Sequence, residues 1–127
     1  RERLRGSPGA GLLALGFYIS LSGIVTFKNA ADLQETAKIL PNDRFLVETD
    51  SPFLAPVPNR GKVCEPASVA DTAAFVAGLR GESVDDLAQM TTANFFRLIA
   101  ALTSRSCSLP QLGQRHLRTP RSRAFNL

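Results

Sequence analysis

The sequence has only two cysteines and one histidine in 127 residues. Cys64 and Cys107 are too few and too far apart in sequence to predict a disulfide framework or a Cys-x-x-Cys metal site, and they favour the reducing cytoplasm. His116 lies alone in a stretch without hydrophobic periodicity, so it does not indicate a metal centre. No apolar run approaches the roughly 20 residues that span a bilayer, which predicts a protein without a membrane partner.

Acidic residues are missing from the C-terminal end, and this affects how the net charge of +4 is interpreted. Residues 97–127 contain six arginines and no Asp or Glu, whereas residues 6–96 contain six basic and ten acidic side chains. A basic face favours nucleic-acid binding, but here the positive charge belongs to the two ends of the chain. Net charge alone therefore does not identify a nucleic-acid partner.

Hydrophobic patterning predicts two strands that are separated by a helix. The first strand is predicted over Phe17–Leu21 and the second over Phe45–Thr49. Between them, a helix is predicted to begin near Asn29, which can cap it, and to end before Pro41. The order strand, helix, strand predicts a βαβ unit with parallel strands, and therefore an α/β fold.

Further helices are predicted after the second strand. Pro66 suits the first turn of a helix whose apolar stripe ends at Arg80, before a glycine. Ser83 is then predicted to cap a short helix, and Thr91 or Thr92 to cap another.

Asp50 is the first candidate for a chemical role. It follows a short apolar run, and buried parallel strands are covered on both faces and therefore have continuous apolar sequences. A carboxylate at the end of such a strand is a candidate metal ligand or general base. The spacing equally allows a turn-capping role, in which the carboxylate accepts hydrogen bonds from the backbone around Ser51 and Pro52.

The loop over residues 51–65 is a second candidate region, because its prolines and glycine restrict a long connection. Arg60 and Lys62 can meet substrate phosphates there, although exposed basic side chains in loops are often only solvated. Ser20 lies at the end of the first strand, where an active site would face, but the hydroxyl groups of this region can instead satisfy backbone groups in a tight turn.

Four segments in order carry a family resemblance between about Leu15 and Ile99. The segments are Gly16–Lys28, Glu48–Pro56, Pro58–Pro66 and Thr91–Phe95. They resemble, in that order, the stretches G-x-Y-I-S-x-S-G-x-x-T-F-K, E-T-D-x-P-[YF]-L-A-P, R-G-x-x-N-E-P and T-x-N-F of the TatD family of metal-dependent deoxyribonucleases. Four ordered matches are far more specific than one short motif.

This resemblance implies a (β/α)₈ barrel of the TIM type, which needs about 250 residues. Residues 15–102 would then be its last two βα units with terminal helices, and the missing part would be N-terminal. The resemblance also implies a hydrolase that cleaves nucleic-acid phosphodiester bonds, with DNA as substrate and divalent Mg, Mn or Zn ions as cofactors. Asp50 corresponds to a catalytic metal-site residue of the family.

The resemblance is incomplete, because the family's His-x-His pair, Glu and further histidines on earlier strands have no counterpart in this sequence. We therefore expect the isolated chain to be inactive, and a non-catalytic truncated remnant or an interaction module is the alternative. Residues 1–14 do not resemble the family, and residues 103–127 are predicted to be a disordered tail. Both ends are expected to be foreign to the fold, as a shifted reading frame or a truncated gene would produce.

Overall fold

The computed structural model describes residues 8–106. Residues 103–106 are helical, so the predicted disordered tail does not begin at residue 103, and residues 107–127 lie outside the described residues. The elements in chain order are α1 (Pro8–Ala14), β1 (Ile19–Leu21), α2 (Ala31–Ile39), β2 (Phe45–Val47), α3 (Val69–Arg80) and α4 (Val84–Ser106). Short 3₁₀ turns follow β1 at Gly23–Thr26 and precede α3 at Pro66–Ser68.

The two strands of the described region pair in parallel, with Ile19 opposite Phe45 and Leu21 opposite Val47. This pairing confirms the predicted βαβ order and the α/β class. Both strands are shorter than predicted. The first begins at Ile19, with Phe17 outside it and 56% exposed, and the second ends at Val47 rather than at Thr49. That these strands belong to the last part of a barrel stays a prediction.

The hydrophobic core lies between the sheet and helices α2, α3 and α4. Its fully or almost fully buried members are Leu21, Val25, Ala37, Leu40, Phe45, Ala73, Val76, Ala77 and Leu87. Successive side chains of a strand point to opposite faces of the sheet. In β1 the side chains of Ile19 and Leu21 face the core, so Ser20 between them faces away and is exposed. The core therefore fixes which face of the sheet is free.

The end of α3 and the start of α4 agree with the sequence. Gly81 closes α3 in the left-handed conformation at φ 69°, which glycine adopts without steric cost. The Ser83 hydroxyl accepts the backbone N–H of Asp86 at 3.0 Å and donates to its carboxylate at 2.7 Å, which is the predicted helix cap.

Two predicted helix starts are wrong. The residue before α2 is Ala30, which makes no side-chain cap, so Asn29 does not cap this helix. No helix begins at Thr91 or Thr92 either, because α4 runs without interruption from Val84 to Ser106. The Thr91 hydroxyl instead donates to the carbonyl oxygen of Leu87 one turn earlier, at 3.0 Å.

None of the helices in residues 8–106 combines the length and the apolar character that a bilayer crossing requires. Within the same residues, Cys64 is a buried free thiol. Cys107 and His116 lie outside the described residues.

Candidate active site at the ends of the parallel strands

The loops that follow β1 and β2 begin side by side. Leu21 and Val47 are opposite each other at the strand ends, and the backbone N–H of Glu48 donates to the carbonyl oxygen of Leu21 at 3.0 Å. In α/β proteins the carboxyl ends of parallel strands are where functional side chains collect. The geometry therefore places the loop over residues 50–65, called the Asp50 loop below, at the carboxyl-end edge of the sheet.

The Asp50 side chain is exposed, and within residues 8–106 its carboxylate forms no hydrogen bond or ion pair. The turn that begins here is closed by the main chain instead, since the backbone N–H of Phe53 donates to the carbonyl oxygen of Asp50 at 2.7 Å. The turn-capping alternative is therefore not realised in this part of the chain. The carboxylate is free to bind a ligand.

The turn after β1 holds this loop in place. The buried Thr26 hydroxyl donates to the carbonyl oxygen of Gly23 at 2.7 Å and accepts the backbone N–H of Val57 at 2.9 Å. At the base of the loop, the backbone N–H of Cys64 donates to the carbonyl oxygen of Pro52 at 2.9 Å. The Thr26 hydroxyl thus satisfies backbone groups in a tight turn, which is one of the two roles predicted for the hydroxyl groups of this region. Its bond to Val57 also holds the loop that carries Asp50.

Gly23 allows the two loops to approach each other. A Cβ atom at this position would overlap the carbonyl oxygen of Leu54 and would stand 3.1 Å from the ring nitrogen and Cδ of Pro56. Both obstacles belong to the backbone or to a rigid ring, so neither can move aside as a flexible side chain would. The glycine of the S-G-x-x-T-F stretch is therefore explained by close packing against the Asp50 loop.

We expect the Gly23→Ala substitution to lower the free energy of unfolding by about 2 kcal/mol, because the added methyl group overpacks this contact. Gly78→Ala is the matched control, since that glycine lies within α3 with nothing near its missing Cβ. The control should stabilise the chain by about 0.5–1 kcal/mol. Urea unfolding of both variants tests this, and equal effects of the two substitutions would contradict it.

Arg60 and Lys62 border a recess that the Asp50 loop itself forms with Phe27. The recess has a volume of about 340 Å³, and residues 52–55 line it together with these two basic residues and Phe27. The Arg60 guanidinium lies 4.3 Å from the centroid of the Phe27 ring, which is a cation–π contact. Ser20 does not line the recess but is exposed on the free face of β1.

Two buried contacts were not predicted from the sequence. The Asn94 side chain, which is 1% exposed, donates to the carbonyl oxygens of Asn42 at 2.8 Å and Phe45 at 2.9 Å, and so ties α4 to the start of β2. The Arg80 guanidinium donates to the carbonyl oxygens of Ala37 at 2.8 Å and Leu40 at 3.0 Å. The T-x-N-F resemblance marked Asn94, but no sequence signal identified its partners.

The described residues do not form a complete metal site. Residues 8–106 contain no group of three His, Cys, Asp or Glu side chains that could hold a metal ion. Catalytic metal sites use about three protein ligands and keep one position open for water or substrate. Asp50 fits as one such ligand, and the remaining ligands would have to come from outside this part of the chain.

Comparison with known proteins gives a family and several relatives. The family model described as TatD related DNase matches residues 10–100. The chain is 58% identical over 98 residues to YcfH of Escherichia coli K12, and this match covers 77% of this chain and 37% of YcfH. It is 46% identical over 86 residues to YabD of Bacillus subtilis 168, and this match covers 68% of this chain and 34% of YabD. Both relatives are named as uncharacterized metal-dependent hydrolases.

The fold also resembles a solved structure. The chain superposes on the TatD homolog YjjV of Escherichia coli K12 with a TM-score of 0.61 and 28% identity, covering 66% of this chain and 32% of YjjV. The chain thus spans about a third of the length of the relatives that it matches. The matched residues contain both strands and the loop that carries Asp50, and the chain belongs to the TatD family of metal-dependent hydrolases.

Proposed function

We propose that this chain supplies Asp50 and an anion-binding loop to a TatD-type deoxyribonuclease that hydrolyses phosphodiester bonds in nucleic acid, with DNA as the substrate. The observation that carries the proposal is the exposed Asp50 carboxylate, which has no partner in the described part of the chain and lies at the carboxyl end of a parallel strand. The membership of a metal-dependent hydrolase family supports the same reaction class.

The implied cofactor is a divalent ion, Mg²⁺, Mn²⁺ or Zn²⁺. When bound, such an ion activates water and stabilises the leaving oxygen. Asp50 would provide one oxygen ligand, which is a donor that all three ions accept. Because residues 8–106 provide no complete ligand set, the rest of the site is assigned to polypeptide outside this region.

Arg60 and Lys62 are proposed to bind substrate phosphates. The ring of Phe27 holds the Arg60 guanidinium by stacking, while none of the described residues accepts a hydrogen bond from its N–H groups. A guanidinium that is held in place with free donors loses little conformational entropy when it binds a phosphate. Ser20, exposed on β1, remains a candidate for a further substrate contact.

We expect the double variant Arg60→Met, Lys62→Met to bind a DNA duplex more weakly and with a smaller salt dependence. Each lost phosphate contact lowers the slope of log affinity against log salt by about 0.9. The slope should therefore fall by about 1.8 for the two residues. Fluorescence anisotropy with a labelled duplex at several salt concentrations measures both quantities.

The control is the double variant Lys38→Met, Arg44→Met, which removes the same charge at sites away from the recess. Lys38 pairs with Glu35 on α2, and Arg44 lies over Tyr18. This control should leave the salt slope within about 0.5 of the unsubstituted chain, because these residues are not assigned to phosphate. Equal losses in the two double variants would show that Arg60 and Lys62 contribute only to net charge.

A second candidate function is a non-catalytic remnant or interaction module. The lack of a complete group of metal ligands within residues 8–106 favours it. The two functions differ in whether Asp50 is needed for metal-dependent cleavage. For both of them the cytoplasm remains the predicted compartment.

A further inference from the structure

The recess in the Asp50 loop contains an exposed aromatic ring as well as two basic side chains. Phe53 lines the recess and is 71% exposed, whereas Phe27, which also lines it, is 8% exposed. Within residues 8–106 the Phe53 ring stacks on no other aromatic ring and on no guanidinium. The face of this ring is therefore open to a flat ligand, and stacked rings attract each other beyond the area that they bury.

A tight turn presents Arg60 and Lys62 to the same recess. The backbone N–H of Lys62 donates to the carbonyl oxygen of Asn59 at 3.1 Å, and Gly61 within the turn has φ 85°, as the third residue of a type II turn requires. The Asn59 side chain donates to the Asp71 carboxylate at 3.0 Å, which anchors the turn to α3. The two basic side chains therefore start from a backbone that the fold holds in place.

The backbone of Phe53 is also held in place. Its N–H donates to the carbonyl oxygen of Asp50 at 2.7 Å, and the carbonyl oxygen of the next residue, Leu54, packs closely against Gly23. Groups whose backbone is ordered before a ligand arrives lose less conformational entropy when they bind it. The turn that carries Phe53 begins at Asp50, so a ligand on this ring lies in the same loop as the proposed metal ligand.

We propose that this recess binds one nucleotide unit of the substrate, with the base stacked on the Phe53 ring and the phosphate on Arg60 and Lys62. The inference rests on the proposed function and adds a contact with the base, which phosphate-binding residues alone do not make. The volume of about 340 Å³ lies at the lower end of small-ligand sites, which span about 300–1,000 Å³. None of the described residues that line the recess is acidic, so an anionic nucleotide meets no like charge there.

The test is a titration of the 127-residue chain with deoxyadenosine monophosphate and, separately, with deoxyribose phosphate, which lacks the base. The amide NMR signals of Phe53, Gly61 and Lys62 report binding at the recess. The nucleotide should bind at least about fivefold more tightly than the sugar phosphate, because stacking of a base on an aromatic ring contributes at least this factor.

Substitutions of Phe53 separate ring stacking from general apolar contact. Phe53→Leu should lower the affinity for the nucleotide at least about fivefold, since leucine keeps an apolar surface but has no ring face. The same variant should leave the affinity for deoxyribose phosphate unchanged. Phe53→Tyr should keep the nucleotide affinity within about twofold, because the tyrosine ring also stacks. Phe17→Leu is the matched control and should change neither affinity, since Phe17 is 56% exposed but does not line this recess.

The base contact and the phosphate contacts fail on different results. Equal affinities for the two ligands, or equal effects of Phe53→Leu and Phe17→Leu, would overturn the base contact and leave the phosphate role of Arg60 and Lys62 intact. Binding of neither ligand would overturn both. The proposed nuclease activity is tested by the formation of cleavage product, so nucleotide binding that depends on Phe53 would support the base contact even where no DNA is cleaved.

Discussion

Replacing Arg80 by methionine is expected to lower the free energy of unfolding by about 3 kcal/mol. The guanidinium is buried, stacks 4.7 Å from the centroid of the Phe45 ring and bonds to the carbonyl oxygens of Ala37 and Leu40. Its Nε also donates to the Glu82 carboxylate at 3.1 Å. Methionine preserves much of the apolar stem but leaves two buried carbonyl groups and a carboxylate without their donor, and each loss costs about 1–3 kcal/mol.

The matched control for this prediction is Arg44→Met. Arg44 also stacks on an aromatic ring, Tyr18, but at 5.5 Å, and its ion pair with Asp43 is solvent-exposed at 3.6 Å. An exposed pair of this kind contributes less than about 1 kcal/mol. Urea unfolding followed by circular dichroism gives both changes, and similar losses for the two variants would show that the buried hydrogen bonds of Arg80 contribute little.

Arg80 also shows why part of the fold could not be predicted from the sequence. The apolar stripe before it and the glycine after it predicted the end of α3 correctly, because both signals are local. The carbonyl oxygens that Arg80 binds belong to the end of α2, about 40 residues earlier. Backbone carbonyls are the same in every residue type, so no pattern in the sequence could identify them as partners.

The same distinction between local and distant signals applies to α4. Ser83 and Asp86 form a local cap, which the sequence predicted. Thr91 has the residue type of a cap but lies within a continuous helix, where its hydroxyl bonds to the preceding turn. The capping residue type was therefore ambiguous, because a threonine hydroxyl can bond to the preceding turn of a continuous helix as well as cap a new one.

For the candidate site, the sequence predicted the position of Asp50 but not what holds its loop. The apolar run before Asp50 predicted a strand that ends near it, and the structure has β2 there. Gly23 and Thr26 belong to the family-like stretch after β1, yet their contacts with Leu54 and Val57 depend on two loops meeting in space. The resemblance marked these residues, and only the structure explains why they are needed.

The 127-residue chain is expected to produce no DNA cleavage above background with Mg²⁺, Mn²⁺ or Zn²⁺. One exposed carboxylate cannot hold a divalent ion against water in a fixed geometry, since catalytic sites use about three protein ligands. The arginines of residues 97–127 can still bind DNA weakly, and this binding should decrease steeply with added salt. Cleavage must therefore be measured as product formation rather than as binding.

A chimera in which residues 10–100 of this chain replace the corresponding segment of YcfH gives the positive counterpart of this expectation. If its other segments complete the metal site, it should cleave DNA with one of these ions, and Asp50→Asn should reduce the rate at least about 100-fold, because the amide keeps the shape but loses the charge that binds the cation. Asp43→Asn is the control, since Asp43 is an exposed carboxylate that pairs with Arg44. It should leave the rate within about twofold, as a surface change away from the site does.

One result would contradict the assignment of Asp50, and another would contradict the expected inactivity of the isolated chain. Full activity of the Asp50→Asn chimera would show that this carboxylate is not a metal ligand. Metal-dependent cleavage by the isolated chain that disappears in its own Asp50→Asn variant would show instead that one carboxylate, with groups outside residues 8–106, suffices for catalysis. A preparation that is inactive in every form, with a metal affinity that Asp50→Asn leaves unchanged, would favour the non-catalytic interaction module, because Asp50 would then hold no ion.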